Sequence, residues 1–122
     1  MLHDLNAFPM VSPELVDAND AVRRVLLAQG DDGITARRVD FGFRRARLLA
    51  ARTDAFLARM GRLGLTPLPG SETTGAEGDL ILWVQASPHA VDFDLFDSMV
   101  TEAATDCGWR NEGWSSFVCE GV

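Results

Sequence analysis

The densest group of possible metal ligands lies between residues 89 and 97. It consists of an H-x-x-D-x-D run followed by a further acid, and its members are His89, Asp92, Asp94 and Asp97. Imidazole and carboxylate groups are ligands that divalent cations accept. The acids have a simpler explanation, because carboxylates in the first turn of a helix cap its free N–H groups and offset its dipole. We therefore predict helix capping here, and no metal site.

The other reactive residues match no catalytic arrangement. Cys107 and Cys119 lack a C-x-x-C partner and an adjacent histidine, so we interpret them as small buried side chains and predict no disulfide. Residues 70–78 are polar and glycine-containing but match no phosphate-binding loop. The sequence therefore predicts no catalytic residue, no cofactor and no enzymatic activity, and two reduced thiols favour a cytoplasmic protein.

Aromatic side chains in the predicted central strands raise the question of RNA binding. Phe41, Phe43 and Trp83 occupy these strands, and RNA-binding domains of ferredoxin-like fold stack bases on such residues. Core packing explains the same alternation in any half-buried strand. Because the formal charge is -7 and the pI is about 4.6, direct contact with nucleic acid is disfavoured.

Charge is unevenly distributed along the chain. Residues 1–36 carry two arginines and six acids, residues 37–62 carry eight arginines and two aspartates, and residues 63–122 carry one arginine and ten acids. All the basic residues are arginine. Two interpretations stay open: these segments pair with one another inside the domain, or they form a polarised surface for a charged partner. The location of residues 37–62 on the folded surface separates the two.

The spacing of apolar residues predicts three helices and four strands in one domain. The helices are expected from Pro13 towards Gly30, over Leu48 to Leu63, and from a cap at Asp92 to Gly108. The strands are expected over Thr35 to Arg44, Leu65 to Leu68, Leu80 to Val84 and Trp114 to Cys119. In the third helix the expected core side contains Phe93, Phe96, Val100, Ala103 and Cys107. No run of about 18 apolar residues is present, so we expect no membrane span.

This order of elements predicts the fold class. After the first helix it is β-α-β-β-α-β, which is typical of an α+β ferredoxin-like sandwich with a four-stranded antiparallel sheet. Both crossover helices would lie on one face of the sheet, and the first helix would be an addition to the fold. We expect residues 1–12 to form a flexible N-terminus, residues 13–122 to form the single domain, and residues 70–78 to be its most mobile loop.

Five short motifs, in this order and spacing, resemble the regulator of ribonuclease activity B family. They are Gly30-Asp31-Asp32-Gly33, Arg38-Val39-Asp40-Phe41, Leu63-Gly64-Leu65, Gly78-Asp79-Leu80, and Gly108 followed by Glu112-Gly113-Trp114. The similarity to this RraB-like domain covers about residues 14–120. It implies a ferredoxin-like fold and a non-catalytic bacterial protein that inhibits endoribonuclease E by protein contact, without a cofactor. Asn111 and Glu112 stand where the family usually has tyrosine and aspartate, and the chain ends at Val122 without the long acidic tail of the best-known member.

Exposed acids on the third helix are the predicted interface. They are joined by two residues of the last motif, and the whole set is Asp92, Asp94, Asp97, Glu102, Asp106, Glu112 and Trp114. Their charge would suit a protein partner with a basic region, such as a ribonuclease. For Trp114 we favour a place in the core over a role as an interface anchor. We expect a monomer or weak homodimer, and the alternative functions are a small-ligand-binding or an RNA-binding ferredoxin-like domain.

Overall fold

The first helix begins and ends where its local sequence predicts. The computed structural model describes residues 11–46, 52–68 and 79–120. Helix α1 covers Pro13–Ala28, and the Ser12 hydroxyl accepts a hydrogen bond of 3.1 Å from the Leu15 N–H. Such a cap satisfies one of the free N–H groups of the first turn, and proline suits the first helical position. Gly30, with φ of 100°, lets the chain leave the helix.

Over the described residues the sheet has four strands, and all neighbouring pairs are antiparallel. The strands are β1 Arg37–Arg45, β2 Thr66–Pro67, β3 Asp79–Ala86 and β4 Trp109–Ser116, in the order β2-β3-β1-β4. Helix α2, Thr53–Arg62, connects β1 to β2, and helix α3, Phe93–Asp106, connects β3 to β4. The predicted α+β sandwich of ferredoxin-like type, with an additional N-terminal helix, is confirmed.

One face of the sheet and the two crossover helices enclose the core. In β1, Val39, Phe41 and Phe43 are buried, whereas the alternate residues are exposed or half-buried. Phe56 of α2 lies edge-on to Phe43, with ring centroids 5.1 Å apart. Val100, Ala103 and Cys107 are buried as the spacing predicted. The opposite face of the sheet therefore carries the alternate residues of each strand, among them Asp40 and Gly42 of β1 and the exposed Ile81 of β3.

The last strand was placed wrongly by the sequence. It begins at Trp109 rather than Trp114 and ends at Ser116, so Cys119 lies beyond it. Gly108, with φ of 81°, turns the chain directly from α3 into β4 and buries Trp109 against Phe56, with ring centroids 5.0 Å apart. The register of β4 shifts by one residue opposite Gly42 and Phe43, which is a bulge. The bulge interrupts the alternation of inward and outward side chains in β4, so the sequence pattern does not indicate a strand there.

The second helix is shorter than predicted. It begins at Thr53, and the preceding residue Arg52 has non-helical φ and ψ of -112° and 84°. The predicted start at Leu48 lies outside the described residues, as do most of the expected flexible N-terminus and the expected mobile loop at 70–78. Within the described ranges, each helix is too short or too polar to cross a bilayer.

Candidate functional site

The five predicted acids of α3 fall into two groups. Asp92, Glu102 and Asp106 are exposed, whereas Asp94 and Asp97 face α1. The expectation that all five are exposed is wrong for Asp97, which is only 4% exposed. Helix α1 packs along this side of α3 and encloses the acids there. A partner that binds α3 therefore meets a smaller acidic set than the sequence predicted.

A buried asparagine connects α1 to the inward acids. The Asn19 amide donates to Asp94 Oδ1 at 2.9 Å and to Asp97 Oδ2 at 3.0 Å. Its carbonyl oxygen accepts a hydrogen bond of 2.8 Å from the Trp114 indole N–H. Arg23, one helical turn further along α1, binds Asp94 at 3.0 Å and donates to the Pro88 carbonyl at 2.8 Å. These contacts fix α1 against both α3 and β4.

A second asparagine holds the other side of the Asp97 carboxylate. Asn111 donates to Asp97 Oδ1 at 2.9 Å and to the Thr101 hydroxyl at 3.0 Å. Burial raises the pKa of Asp97, and the hydrogen bonds from Asn19 and Asn111 oppose that rise. Because both carboxylate oxygens are occupied inside the domain, Asp97 has a structural role. Neither asparagine was singled out from the sequence as a contact of Asp97, because their partners are distant in the chain or on another element.

The outward acids flank two apolar side chains, Leu95 and Met99, along one stripe of α3. Asp92, Leu95, Met99, Glu102 and Asp106 recur at alternating spacings of three and four residues, which places them on one side of a helix. We call these five residues the outer stripe. Met99 is 43% exposed, although methionine is a residue type that is usually buried. A single exposed apolar side chain is common on a protein surface, but Met99 lies next to Leu95 in this stripe and both line one groove.

A groove of about 500 Å³ lies beside the outer stripe, between α2 and α3. We call it the helix groove, and its lining consists of Arg59, Arg62, Leu63, Leu95, Met99, Glu102 and Ala103. At one end Arg59 donates to Asp106 Oδ2 at 3.1 Å, and this hydrogen bond raises the pKa of Arg59. The apolar residues lie between charged ones, which is the arrangement that receives an amphipathic segment.

The two predicted interface residues of β4 do not line the helix groove. Glu112 is exposed, and its carboxylate lies 3.8 Å from Arg44 and 3.6 Å from Arg110. Trp114 is half-buried and packs edge-on against Phe93, with ring centroids 5.0 Å apart. The core interpretation of Trp114 therefore agrees with its packing. Both residues line a separate groove on the sheet.

The arginines of residues 37–62 mostly pair inside the domain. Arg38 lies 3.0 Å from Asp40, and Arg44 lies 3.3 Å from Asp79. The Arg45 guanidinium lies over the Trp109 ring, 5.5 Å from its centroid. Their partners are spread over several elements, and Arg47 lies outside the described residues. This arrangement favours internal pairing over a continuous positive surface.

A buried aspartate forms the main ionic hub, which the sequence did not reveal. Arg37 lies 2.6 Å from Asp31 Oδ1, and His89 Nε2 lies 2.8 Å from Asp31 Oδ2. Burial opposes ionisation of Asp31, but hydrogen bonds from Arg37 and from the N–H groups of Cys119 and Gly33 hold its pKa well below the usual range. His89 is therefore committed to this hub rather than to the acids of α3.

The aromatic residues and cysteines considered in the sequence analysis occupy both buried and half-buried positions. Phe41 and Phe43 face the core, whereas Trp83 is half-buried opposite Asp40 in the sheet register. Cys107 is buried and Cys119 is half-buried, and both thiols are free. In the part of the chain that the structure describes, no three His, Cys, Asp or Glu residues are grouped to hold a metal ion.

Comparison of the chain with models of known protein families, with curated proteins and with solved structures found no match. The resemblance to the regulator of ribonuclease activity B family thus stays a prediction that depends on the motifs quoted above.

Proposed function

We propose that this chain is a non-catalytic regulatory domain that binds another protein through the outer stripe and the helix groove. The observation that carries the proposal is the exposed Met99 between exposed acids, beside an open groove about 500 Å³ in volume. Following the resemblance, the partner is a ribonuclease with a basic region, and the regulated process is RNA decay in the bacterial cytoplasm.

The acids of the outer stripe favour an amphipathic segment with basic residues as the bound part of the partner. The groove beside them also contains Arg62 and the Asp106-bound Arg59. Leu95 and Met99 would contact its apolar residues, and methionine adapts its shape to such surfaces. Asp92 and Glu102 would attract its basic residues, because complementary charge steers association and fixes orientation. An amphipathic helix is the usual occupant of a groove between two helices.

RNA is the less favoured partner. The arginines that could contact phosphates are mostly paired with acids of the same domain, as in Arg38 with Asp40 and Arg44 with Asp79. Exposed acids on α3 would repel a phosphate backbone, since binding of nucleic acid depends on cations that replace its counterions.

The two departures from the family pattern lie away from the proposed surface. Asn111 takes part in the internal network with Asp97 and Thr101, and Glu112 belongs to β4 and to the sheet. Neither residue lines the helix groove. A difference at these two positions is therefore compatible with an unchanged outer stripe.

The test is capture of protein partners from the native lysate, with and without nuclease. We expect a partner that survives nuclease treatment and is lost, by about tenfold or more, with Glu102→Arg. The matched control is Asp17→Arg, which makes the same charge change at an exposed acid of α1. Capture that disappears with nuclease, or that both variants weaken equally, contradicts the proposal.

The target requires a separate measurement. Binding of the purified chain to purified endoribonuclease E, and inhibition of RNA cleavage by it, are the expected results. Binding to a different captured protein, with no effect on endoribonuclease E, would retain the docking surface and reject this target.

A further inference from the structure

A second groove crosses the face of the sheet that the crossover helices leave uncovered. It has a volume of about 510 Å³ and runs from Ile81 on β3 across Gly42 and Gly113 to α1. The strand register places Gly42 directly opposite both Ile81 and Gly113. We call it the sheet groove, and its lining consists of Ala18, Asn19, Val22, Asp40, Gly42, Ile81, Glu112, Gly113, Trp114 and Ser115.

The glycine at the centre of this groove is not required by the fold. Gly42 is absent from the glycines with positive φ, and a Cβ atom built on it meets nothing within 4 Å. Glycine in a strand interior weakens the strand, and it often marks a place where a ligand approaches the backbone closely. Gly113 differs, since its φ of 117° at the bulge favours glycine. Gly42 therefore keeps open a space that folding does not need.

The charged groups that line the sheet groove are all carboxylates. Asp40 is held by Arg38, with Nε and Oδ1 3.0 Å apart. The Glu112 oxygens lie 3.6 Å from Arg110 and 3.8 Å from Arg44, which is longer than a hydrogen bond. Glu112 can therefore accept a charge-assisted hydrogen bond from a cation in the groove.

The apolar part of the lining has no side chains where the two glycines lie and is bounded by apolar side chains. Ile81 is 40% exposed on one side, and Val22 and Ala18 of α1 line the other. A planar ring can lie against two adjacent glycines, because no side chain projects from either position. Apolar walls with a few polar groups are typical of sites for small molecules.

We propose that the sheet groove binds a small molecule in which a planar apolar ring carries a cationic group. The ring lies over Gly42 and Gly113, between Ile81 and α1, and the cation binds Glu112. This site is separate from the outer stripe and does not depend on the proposed protein partner.

The experiment uses benzamidine as the probe and follows backbone amide shifts by NMR. We expect benzamidine to shift the amides of Gly42, Gly113 and Ser115. Benzoate, with the opposite charge, and benzamide, with no charge, should bind at least about tenfold more weakly. Absence of shifts at these amides, or equal binding of benzoate, overturns the proposal.

Two substitutions test the site directly. Gly42→Val places a side chain in the groove at a position where a Cβ atom meets nothing within 4 Å, so the domain should stay folded while benzamidine binding falls by about tenfold or more. Thr66→Val is the matched control, because it puts valine on the exposed strand β2 outside the groove. A folded Gly42→Val variant that binds as tightly as the control contradicts the site.

Glu112→Gln keeps the test decisive if Gly42→Val fails to fold. Loss of this carboxylate should weaken benzamidine binding by about tenfold and leave benzamide binding unchanged. Unchanged benzamidine affinity would reject Glu112 as the cation's partner and the proposal with it. Glu102→Gln, on the outer stripe, should leave benzamidine binding unchanged. A failure of the sheet groove as a binding site is therefore distinguishable from a failure of the outer stripe as a protein-binding surface.

Discussion

The two sides of helix α3 use the same residue type in opposite ways. On the inward side, Asp97 is 4% exposed and is bound by Asn19 and Asn111. On the outward side, Asp92 and Glu102 are exposed, and Glu102 lines the helix groove. The role of an acid on α3 therefore depends on whether α1 packs over it. Buried acids here hold the fold together, and exposed acids are available for recognition.

The largest expected effect comes from removing the inward carboxylate. Asp97→Ala removes one of the two acceptors of each asparagine, Asn19 and Asn111, in a buried site, so we expect the free energy of unfolding to fall by about 3 kcal/mol. Chemical denaturation measures this change. Glu102→Ala, on the outward side, should alter the same quantity by less than about 0.5 kcal/mol. Equal changes in the free energy of unfolding for the two substitutions would contradict a structural role that is specific to the inward side of α3.

A smaller effect should follow from removing one donor of the inward network. Trp114→Phe keeps most of the ring that packs against Phe93 but removes the indole N–H that binds Asn19. We expect a loss of about 1–2 kcal/mol in the free energy of unfolding, because the Asn19 oxygen loses its partner. A stability equal to that of the parent protein would mean that water replaces the indole at no cost.

The contribution of Asp97 to the free energy of unfolding should depend on pH. The pKa of Asp97 is raised above its ordinary value of 3.8, so the unfolded chain releases this proton at lower pH than the folded domain does. Its stabilising contribution is therefore complete below about pH 3.8 and is lost as the pH rises through the folded pKa. The unfolding free energy of the parent, relative to Asp97→Asn, should fall over this window.

Asp31 should show the opposite trend. Its pKa is lowered from 3.8, so its contribution is present above that pH and is lost as the pH falls through the folded pKa. Comparison with Asp31→Asn below about pH 3.8 measures this contribution. A parallel pH dependence for the two aspartates would contradict the assigned directions of their pKa shifts.

Local signals predicted the helices better than the last strand. Ser12 and Pro13 mark the start of α1 through interactions within one turn, so the boundary is readable from neighbouring residues. Strand β4 depends on pairing with β1 and on a bulge beside Gly113, and neither is visible in the residues of β4 alone. The sequence therefore predicted the fold class and missed where its final strand begins.

The candidate surface was predicted only in part, for a related reason. The apolar set of α3, such as Val100 and Ala103, fixes which side of the helix faces the core. It does not say which polar residues α1 covers, and that contact joins Asn19 to acids 75 and 78 positions away. Asp31 and His89 are likewise 58 positions apart. Contacts at such separations leave no periodic trace in a single sequence.

The smallest expected effect on stability belongs to the outer stripe, where binding is the property that should change. Met99→Glu adds a charge at a side chain that is already 43% exposed, so the free energy of unfolding should change by less than about 0.5 kcal/mol. Affinity for the captured protein should fall by about tenfold or more, because the apolar contact is lost. Calorimetric titration of that partner checks the change.

Photo-crosslinking from single positions tests the docking surface most directly. A photoreactive benzoylphenylalanine replaces Met99 in one protein and Val25 in another, two exposed apolar positions that lie on α3 and α1. With the nuclease-resistant partner present, we predict a covalent complex from position 99 and none from position 25. Crosslinks from position 25 alone, or equally from both positions, would contradict recognition through the outer stripe.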